Sequence, residues 1–271
     1  MELPVKEITN LPGFKYKYSV CTLVTDHKEY RQMVMSFLNS GFSEENTEFL
    51  YIDNSHSNKF DAFSGLNMLL NNARGEFIIL CHQDIELIKD NEAVLNQKVC
   101  EIEALDKNWA VLGNAGGLHL KKTFELVTYP DKTVVKGPFP YKVNSLDENF
   151  LLLNGKVRIS FSKDLNGFHF YGTDIVSIAN VLGYSAYVIA FDLLHKSSGN
   201  MNKSFYEAKD RFIAKYGRAL SSKYVRTTCT SLYLGGNPGK AKVLSKSFFI
   251  FWAKIPLKVK KLIKGNYLFN P

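Results

Sequence analysis

Three polar residues that could hold a metal ion follow a short apolar run. Residues 77–81 are entirely apolar, which predicts a buried strand, and His82, Gln83 and Asp84 come directly after it. In open α/β sheets, ligands bind just beyond the carboxyl ends of the strands. A carboxylate there, beside an amide and an imidazole, suits a divalent cation such as Mn²⁺ or Mg²⁺ that carries a nucleotide diphosphate. An ordinary polar turn after a strand is the alternative reading.

Two further carboxylates come at the ends of predicted strands. Asp26 follows Thr25 at the end of the first strand, where it could contact a nucleobase or, as we slightly favour, cap the next helix. Asp53 and Asn54 end the second strand. Asp53 could accept hydrogen bonds from a base or ribose, or it could hold a turn.

A fourth carboxylate follows a cluster of aromatic residues. Residues 168–171 read Phe-His-Phe-Tyr, and Asp174 lies just beyond them at the start of a predicted helix. Aromatic side chains such as His169 and Tyr171 can pack on the C–H faces of a sugar while a carboxylate accepts a proton. The alternative is a carboxylate that only complements the helix dipole.

Two more segments could contribute to a site. His195 follows the last predicted strand and could complete a metal shell with Asp84, or it could be a polar boundary residue. Residues 113–117 read Gly-Asn-Ala-Gly-Gly, which is neither a Walker loop nor a GxGxxG motif. Gly116 and Gly117 could let a donor sugar or an acceptor approach the backbone closely.

Alternating strands and helices must position these residues. Apolar runs predict strands over residues 17–25, 48–53, 77–84 and 109–112, and periodic segments predict helices over residues 30–38, 62–73 and 91–105. Short connections between them predict a parallel, doubly wound α/β sheet. Further along, we expect a hairpin at 118–135, an apolar run at 151–153, a helix at 168–182, a strand at 185–191 and a helix at 206–216.

Composition allows one large domain with an appendage. The chain has 271 residues, of which 45% are hydrophobic. Neither an apolar N-terminal core nor a run of 18 apolar residues occurs, so we expect no signal peptide and no transmembrane helix. Four cysteines without CxxC spacing indicate free thiols in a reducing cytoplasm rather than a zinc site.

The charge is divided unevenly along the chain. Residues 211–271 carry 13 Lys or Arg and no Asp or Glu, whereas the first 210 residues carry 21 basic and 26 acidic side chains. Aromatic residues at 248–252 and lysines at 258–264 are typical of a helix that lies on an anionic membrane surface. Packing of the aromatic residues on the domain is the alternative. Nucleic acid is a less favoured partner, because the aromatics are clustered.

The order of these motifs resembles a known family. The runs SVCTLVTD, FLYIDNS and GEFIILCHQDIEL, in this order, are similar to glycosyltransferases of the GT-A fold in the broad family-2-like superfamily. The downstream segments SLDE (145–148), NGFHFYGTD (166–174) and LHKSSG (194–199) look closer to StrF-type transferases. The sequence departs from the DxD pattern of the superfamily, because His82 stands at the first acidic position.

The resemblance implies a fold, a reaction and roles for residues. It implies a GT-A (Rossmann-like) mixed, mainly parallel sheet flanked by helices, which we expect over residues 1–235. The segment at 236–271 lies outside the resemblance, and its charge and aromatic residues alone predict a basic amphipathic membrane-association segment. It implies inverting, metal-dependent transfer of a sugar from a nucleotide-sugar donor, most often UDP-linked, to a glycan or lipid-linked glycan. Its setting would be lipopolysaccharide O-antigen or capsule synthesis at the cytoplasmic face of the membrane.

Each candidate residue then takes a role in that reaction. Asp174 would be the catalytic base, and Asp84 and His195 would bind the metal. The donor would lie against Thr25, Asp26, Asp53, Asn54, His82, Gln83 and Asp84. The acceptor would lie against Gly116, Gly117, Asp147, Glu148, His169 and Tyr171. A catalytically degenerate domain that only binds sugars or acts as a scaffold is the alternative, and the altered HQD motif is its evidence.

Overall fold

The computed structural model describes residues 13–120, 122–197, 199, 201–251 and 253. The chain divides into two compact units, residues 1–209 and residues 210–271. The strands are β1 (Tyr16–Val24), β2 (Thr47–Asp53), β3 (Gly75–Cys81), β4 (Ile85–Glu86), β5 (Trp109–Gly113), β6 (Ala115–Leu118), β7 (Lys122–Thr128), β8 (Thr133–Lys136), β9 (Tyr141–Val143), β10 (Ser145–Leu146), β11 (Phe150–Asn154), β12 (Ser185–Val188), β13 (Leu194–His195), β14 (Lys223–Arg226) and β15 (Ser231–Leu234). The helices are α1 (His27–Asn39), α2 (Ala62–Asn72), α3 (Glu92–Leu105), α4 (Tyr171–Val181), α5 (Lys203–Ala219) and α6 (Pro238–Leu244).

A seven-stranded sheet forms the centre of the first unit. Its strand order is β2-β1-β3-β11-β5-β12-β9. Strands β2, β1, β3, β5 and β12 run in one direction, and β11 and β9 run antiparallel to their neighbours. The sheet is therefore mixed and mainly parallel, and it is flanked by helices. This confirms the predicted fold class and is consistent with a GT-A fold.

Both faces of the central sheet are covered, which explains its continuous apolar strands. Phe77 and Ile79 of β3 join a buried cluster with residues of α1 and α3, and the Phe77 ring stacks on Trp109 with centroids 6.1 Å apart. Ile78 and Leu80 point to the other face and are also buried. Alternate residues of β3 thus meet two packed layers, as expected for a central strand.

A second sheet places strand β13, late in the first unit, beside the segment that follows β3 and contains the HQD residues. Its order is β10-β6-β7-β13-β4, with β8 paired to β7 as the hairpin predicted from sequence. The two-residue strand β13 pairs with β4, so that His195 lies opposite Ile85. This pairing places His195 beside the segment that follows β3.

Several boundaries differ from those that the sequence predicts. Strand β3 ends at Cys81, so the HQD residues lie in the loop beyond it, and β12 ends at Val188. Helix α4 begins only at Tyr171, three residues later than predicted. Phe170 adopts a left-handed conformation with φ 67°, so the helix cannot extend towards residue 168. The apolar run predicted at 151–153 is β11, which enters the sheet antiparallel between β3 and β5.

The second unit, residues 210–271, contains the end of α5, the β14–β15 hairpin and α6. Residues 247–251 are helical, and Phe248 and Phe251 are exposed. The predicted lysine segment at 258–264 lies outside the described residues. In the part of the chain that the structure describes, no helix is both long and apolar enough to cross a membrane. The boundary proposed near residue 235 stays a prediction.

Candidate active site

Two imidazoles and one carboxylate converge beyond the carboxyl end of β3. Atoms of His82, Asp84 and His195 that can bind a metal all lie within 4.8 Å of one another. Asp84 Oδ1 is 3.6 Å from His195 Nε2 and 3.9 Å from His82 Nδ1. The end of β3 supplies His82 and Asp84, and the β13–β4 pairing supplies His195. The structure thus brings together the two predicted metal ligands and adds His82.

This donor set fits a divalent cation. His195 Nε2 is buried and has no hydrogen-bond partner among the described residues, although a buried nitrogen normally has one. Two imidazole nitrogens and a carboxylate are a common ligand set for transition metals. Burial opposes ionisation of Asp84, but the neighbouring His195 and the Ser197 hydroxyl hold the pKa of its carboxyl well below the usual value. Asp84 is therefore an anion at neutral pH.

Outer hydrogen bonds orient these side chains. The Tyr171 hydroxyl lies 2.9 Å from His82 Nε2, which leaves Nδ1 on the side of Asp84. The Ser197 hydroxyl donates to the second oxygen of Asp84. Burial lowers the pKa of His82, so its imidazole stays neutral and keeps a lone pair. Such partners fix the direction and basicity of metal ligands.

A cavity of about 270 Å³ adjoins this cluster at the ends of β1, β2 and β3. Residues predicted to bind the donor are among those that line it. These are Thr25, Asn54, His82, Gln83 and Asp84. Phe168 and Tyr171 of the aromatic segment line it as well. The cavity therefore joins the strand ends to the start of α4.

Gln83 connects two of the predicted donor-binding loops. Its Oε1 accepts from the backbone N–H groups of Thr25 and Asp26 at 2.7 and 2.9 Å, and its Nε2 donates to Thr25 Oγ1 and Glu29. A carboxylate at this position could accept these bonds but could not donate the other two. Gln83 thus holds the loop after β1 to the loop after β3.

The other two predicted donor carboxylates, Asp26 and Asp53, are exposed, one just after β1 and the other at the end of β2. Asp26 caps α1 by accepting from the N–H groups of Lys28 and Glu29, which confirms the favoured capping role. Asp53 is exposed, and hydrogen bonds from Ser55, with a further contact from His27, lower the pKa of its carboxyl to about 2. Asp53 is thus ionised, and neither Asp26 nor Asp53 is among the residues that line the cavity.

Asn54 holds its own loop. Its side-chain amide donates to the Phe60 carbonyl at 2.8 Å and accepts from the Phe60 N–H at 3.3 Å. Asn54 is buried and lines the cavity, but both ends of its amide are used within the loop at 54–60. A donor contact from this residue stays a prediction.

The two glycines predicted to contact a sugar, Gly116 and Gly117, are packed within a sheet. Gly116 and Gly117 lie within β6, which pairs with β10. A Cβ on Gly116 would lie 2.4 Å from the Ser145 carbonyl oxygen and 2.9 Å from a Val188 methyl. Glycine at position 116 is therefore required for strand packing. A close approach of a sugar to Gly116 and Gly117 stays a prediction.

Asp147 and Glu148 lie where β10 leads into β11, next to the cluster. The residue after Glu148 is Asn149, and its carbonyl accepts a hydrogen bond from the backbone N–H of His82. The Tyr171 hydroxyl donates to the Glu148 carbonyl at 3.1 Å. Burial, and then the neighbouring Asp147, raise the pKa of the Glu148 carboxyl to about 8. Sequence patterns alone do not reveal such burial.

Asp174, predicted as the catalytic base, is completely buried. Its Oδ2 accepts from the Ser162 N–H at 2.8 Å and its Oδ1 accepts from the Ser162 hydroxyl at 2.7 Å. His169, a predicted acceptor contact, packs its ring against Phe205 at 5.4 Å and lies 3.4 Å from the Ser204 hydroxyl. The catalytic role of Asp174 and the acceptor role of His169 stay predictions.

One relative of known sequence shows the family. The chain is 32% identical over 226 residues to "ATP synthase subunits region ORF 6" of Fuscovulum blasticum, which is 81% of this chain and 91% of that protein. The chain belongs to the family of this protein. The relative's name gives a gene region and states no activity. No protein-family model matches the chain.

Two solved structures are similar to part of the chain. The structure of S. aureus TarS 1-349 in complex with UDP-GlcNAc has a TM-score of 0.48 and 13% identity over 71% of this chain and 64% of that chain. A longer TarS structure also has a TM-score of 0.48, over 74% of this chain and 39% of that chain. This chain therefore spans less than two thirds of TarS.

Proposed function

We propose that this chain is a glycosyltransferase that moves a sugar from a nucleotide-sugar donor to a hydroxyl group. One observation carries the proposal. His82, Asp84 and His195, which could hold a cation, converge at the carboxyl end of a central strand, and a cavity of about 270 Å³ adjoins them. Diphosphates are bound at such strand ends, and their charge calls for a cation or basic groups.

The cation site would serve the leaving group. When bound, the cation neutralises the charge that develops on the departing diphosphate. His195 Nε2, His82 Nδ1 and an Asp84 oxygen would hold it. Imidazole ligands favour transition metals over Mg²⁺, so we expect Mn²⁺ to support higher activity than Mg²⁺. The replacement of an acidic residue by His82 thus changes the choice of metal rather than removing the site.

The donor nucleotide would occupy the loops after β1 and β2. Thr25 and Asp26 follow β1, and Asp53 is the last residue of β2, so these residues lie at the same sheet edge as the proposed cation site. Ionised carboxylates there can accept hydrogen bonds from a base and a ribose. We propose uridine as the nucleoside, as the family resemblance implies.

The chemistry we propose is inverting transfer. A base removes the proton from an acceptor hydroxyl, the oxygen forms a bond to the anomeric carbon, and the bond to the diphosphate breaks on the opposite face. Accepting the proton requires a carboxylate near the start of α4, where Asp147, Glu148 and Asp174 all lie. Inversion itself rests on the resemblance and is tested by the anomeric configuration of the product.

We propose a glycan or a lipid-linked glycan as acceptor, in lipopolysaccharide O-antigen or capsule synthesis. The absence of acidic residues from 211 to 271, with 13 cations there, supports a peripheral position on an anionic membrane surface. Flotation of the full chain and of a chain ending at residue 239 with phosphatidylglycerol vesicles tests this position. Equal flotation of the two chains would contradict it.

The main test is a panel of nucleotide sugars with Mn²⁺ or Mg²⁺, scored for released nucleoside diphosphate. Wild type should turn over one donor, and Asp84→Asn should lower turnover by a factor of at least about 100 because it removes the anionic ligand. Asp131→Asn, the same change at an exposed turn, is the matched control and should leave turnover unchanged. Binding of UDP and Mn²⁺ by wild type without turnover of any donor or added glycan would favour the scaffold alternative.

A further inference from the structure

Two carboxylates near the start of α4, Asp174 and Glu148, differ in burial and in hydrogen bonding. Asp174 is fully buried, and each of its oxygens accepts a hydrogen bond from Ser162. Glu148 is partly exposed, and one of its oxygens accepts from the Gly172 N–H at 3.2 Å. A general base must come within hydrogen-bond distance of the proton that it removes. Of these two residues, Asp174 has no exposed surface, whereas Glu148 is half-buried.

Glu148 is also tied to the cation site. The Tyr171 hydroxyl donates to the Glu148 carbonyl at 3.1 Å and lies 2.9 Å from His82 Nε2. Tyr171 lines the cavity beside Asp84. A single side chain therefore separates the backbone of Glu148 from a metal ligand.

Building on the function proposed above, we propose that Glu148 is the catalytic base and that Asp174 is a structural carboxylate. In the transfer step, the O–H bond of the acceptor breaks and its proton moves to a Glu148 oxygen. The acceptor oxygen forms a bond to the anomeric carbon, and the bond to the diphosphate breaks with its electron pair. The proton then passes from the partly exposed Glu148 to water, and the carboxylate is restored.

Gly172 allows Glu148 to take this position. A Cβ on Gly172 would lie 2.4 Å from the Leu146 carbonyl oxygen and 3.2 Å from Glu148 Cγ. The segment at 146–148 therefore packs directly against the first turn of α4. This contact also puts the Glu148 carboxylate at the positive end of the helix, where backbone N–H groups stabilise the charged form.

The proton affinity of Glu148 suits this role. Burial is the main cause that raises the pKa of its carboxyl to about 8, and Asp147 adds to it, while the N–H groups of Gly172, Tyr171 and Phe170 oppose the rise. A base works best when its pKa lies near the working pH, since it then accepts a proton strongly and still ionises. An ordinary exposed Glu, with a pKa of about 4.3, would be a much weaker base.

The test compares Glu148→Gln with Asp174→Asn, in full-length protein. Binding of UDP with Mn²⁺ is measured by calorimetry, and turnover is measured with the donor that wild type uses. We expect Glu148→Gln to bind UDP within about threefold of wild type and to lose a factor of about 100 to 10,000 in kcat, the range typical of a lost general base. Glu148→Asp should retain part of the activity. The pH profile of kcat should rise with pH in wild type and be flat in Glu148→Gln.

The outcomes separate this inference from the function on which it rests. Wild-type turnover that Glu148→Gln retains to more than a third would overturn the role of Glu148. Loss of turnover in a folded Asp174→Asn with normal UDP affinity, beside an active Glu148→Gln, would return the role to Asp174. Glu44→Gln makes the same change at an exposed turn away from the site and should leave kcat unchanged. A wild type that binds no UDP and uses no donor would overturn the proposed function itself.

Discussion

Cavities lie at both ends of the parallel strands of the central sheet, and the candidate cation site adjoins the smaller of the two. The edge at the carboxyl ends of the parallel strands has a cavity of about 270 Å³ and the cation site. The other edge has a larger cavity of about 490 Å³, lined by Lys15, Arg74, Arg158 and by amide and apolar groups. The comparison shows that the groups able to hold a cation converge at the edge with the smaller cavity, so cavity volume and convergent polar groups point to different edges.

The direction of the strands explains this difference. Loops after β1, β2 and β3 leave from one edge, and β13 returns to the same edge, so polar residues distant in sequence meet there. At the other edge the charged groups are used for structure. Arg74, for example, pairs with Glu48 at 3.0 Å and stacks over the Tyr16 ring. We therefore expect substitutions at the two edges to have unequal effects.

The largest effect should come from His195→Ala. This change removes a ligand whose Nε2 is buried without another partner among the described residues, so Mn²⁺ affinity and turnover should each fall by a factor on the order of 100 or more. Calorimetry with Mn²⁺ and the donor assay measure the two quantities. His119→Ala, which changes an exposed histidine away from the cluster, is the control and should alter neither. Unchanged Mn²⁺ affinity in His195→Ala would remove this residue from the site.

The next effect should come from Gly172→Ala. The added methyl group overlaps the Leu146 carbonyl oxygen, which is backbone and cannot rotate away. The segment at 146–148 must move, so kcat should fall by a factor of about 10 to 100 while UDP affinity changes little, in line with the cost of misplacing a reactive group. Gly183→Ala at the other end of the helix tests the general effect of a methyl group, although its φ of 88° adds strain. Equal kcat in Gly172→Ala and wild type would contradict this role.

A smaller effect, on stability, should come from Ser162→Ala. The change removes the hydroxyl that donates to Asp174 Oδ1 and leaves a buried carboxylate oxygen short of a donor. The free energy of unfolding should fall by about 1–3 kcal/mol. Urea denaturation measures this, with Ser221→Ala at an exposed site as the control. A change below a few tenths of a kcal/mol would show that Asp174 finds another donor.

Stability should also depend on pH through Glu148. Its folded-state pKa of about 8 lies above the unfolded value, so the stability from its bound proton is present at low pH and is lost as pH rises towards 8. Between pH 6.5 and 8, in EDTA, wild type should lose up to about 1.4 kcal/mol per pH unit relative to Glu148→Gln. Asp147 and Tyr171 face the same carboxyl and are unchanged in both proteins. Parallel stability profiles of the two proteins would contradict the raised pKa.

The smallest effect should come from Arg158→Ala at the opposite edge. Arg158 lines the larger cavity and is exposed. We expect turnover, UDP affinity and Mn²⁺ affinity to stay within about twofold of wild type, because surface substitutions away from a site usually change little. A large loss of turnover would show that the opposite edge takes part in the reaction, and the contrast between the edges would not hold.

Much of the fold could be predicted from local patterns. The strands β1, β2, β3 and β5 and the helices α1 to α3 were predicted to within about three residues, because apolar runs and polar breaks are local signals. The two-residue strands β4 and β13 could not be predicted, since they pair with each other across more than 100 residues and β13 also pairs with β7. Phe170 shifted the start of α4, because no simple pattern predicts a left-handed phenylalanine.

The sequence predicted two of the candidate metal ligands, but it did not reveal which carboxylate near α4 is buried. Asp84 and His195 were assigned through the family resemblance, and the structure brings them together. His82 was taken as a departure from an acidic motif, yet its Nδ1 lies on the Asp84 side of the cluster. The contrast between Glu148 and Asp174 depends on which side chain is buried, and that property arises only when β11 and α4 pack together.

The Tyr171 hydroxyl, which contacts both His82 and the Glu148 carbonyl, has a consequence for how the site can evolve. Because one oxygen links the metal ligand to the loop of the proposed base, changes at the two ends should not be independent. The losses caused by Tyr171→Phe and by a substitution at either end should fail to add in a double-mutant cycle. A lineage that alters its metal would then have to adjust its acceptor side at the same time.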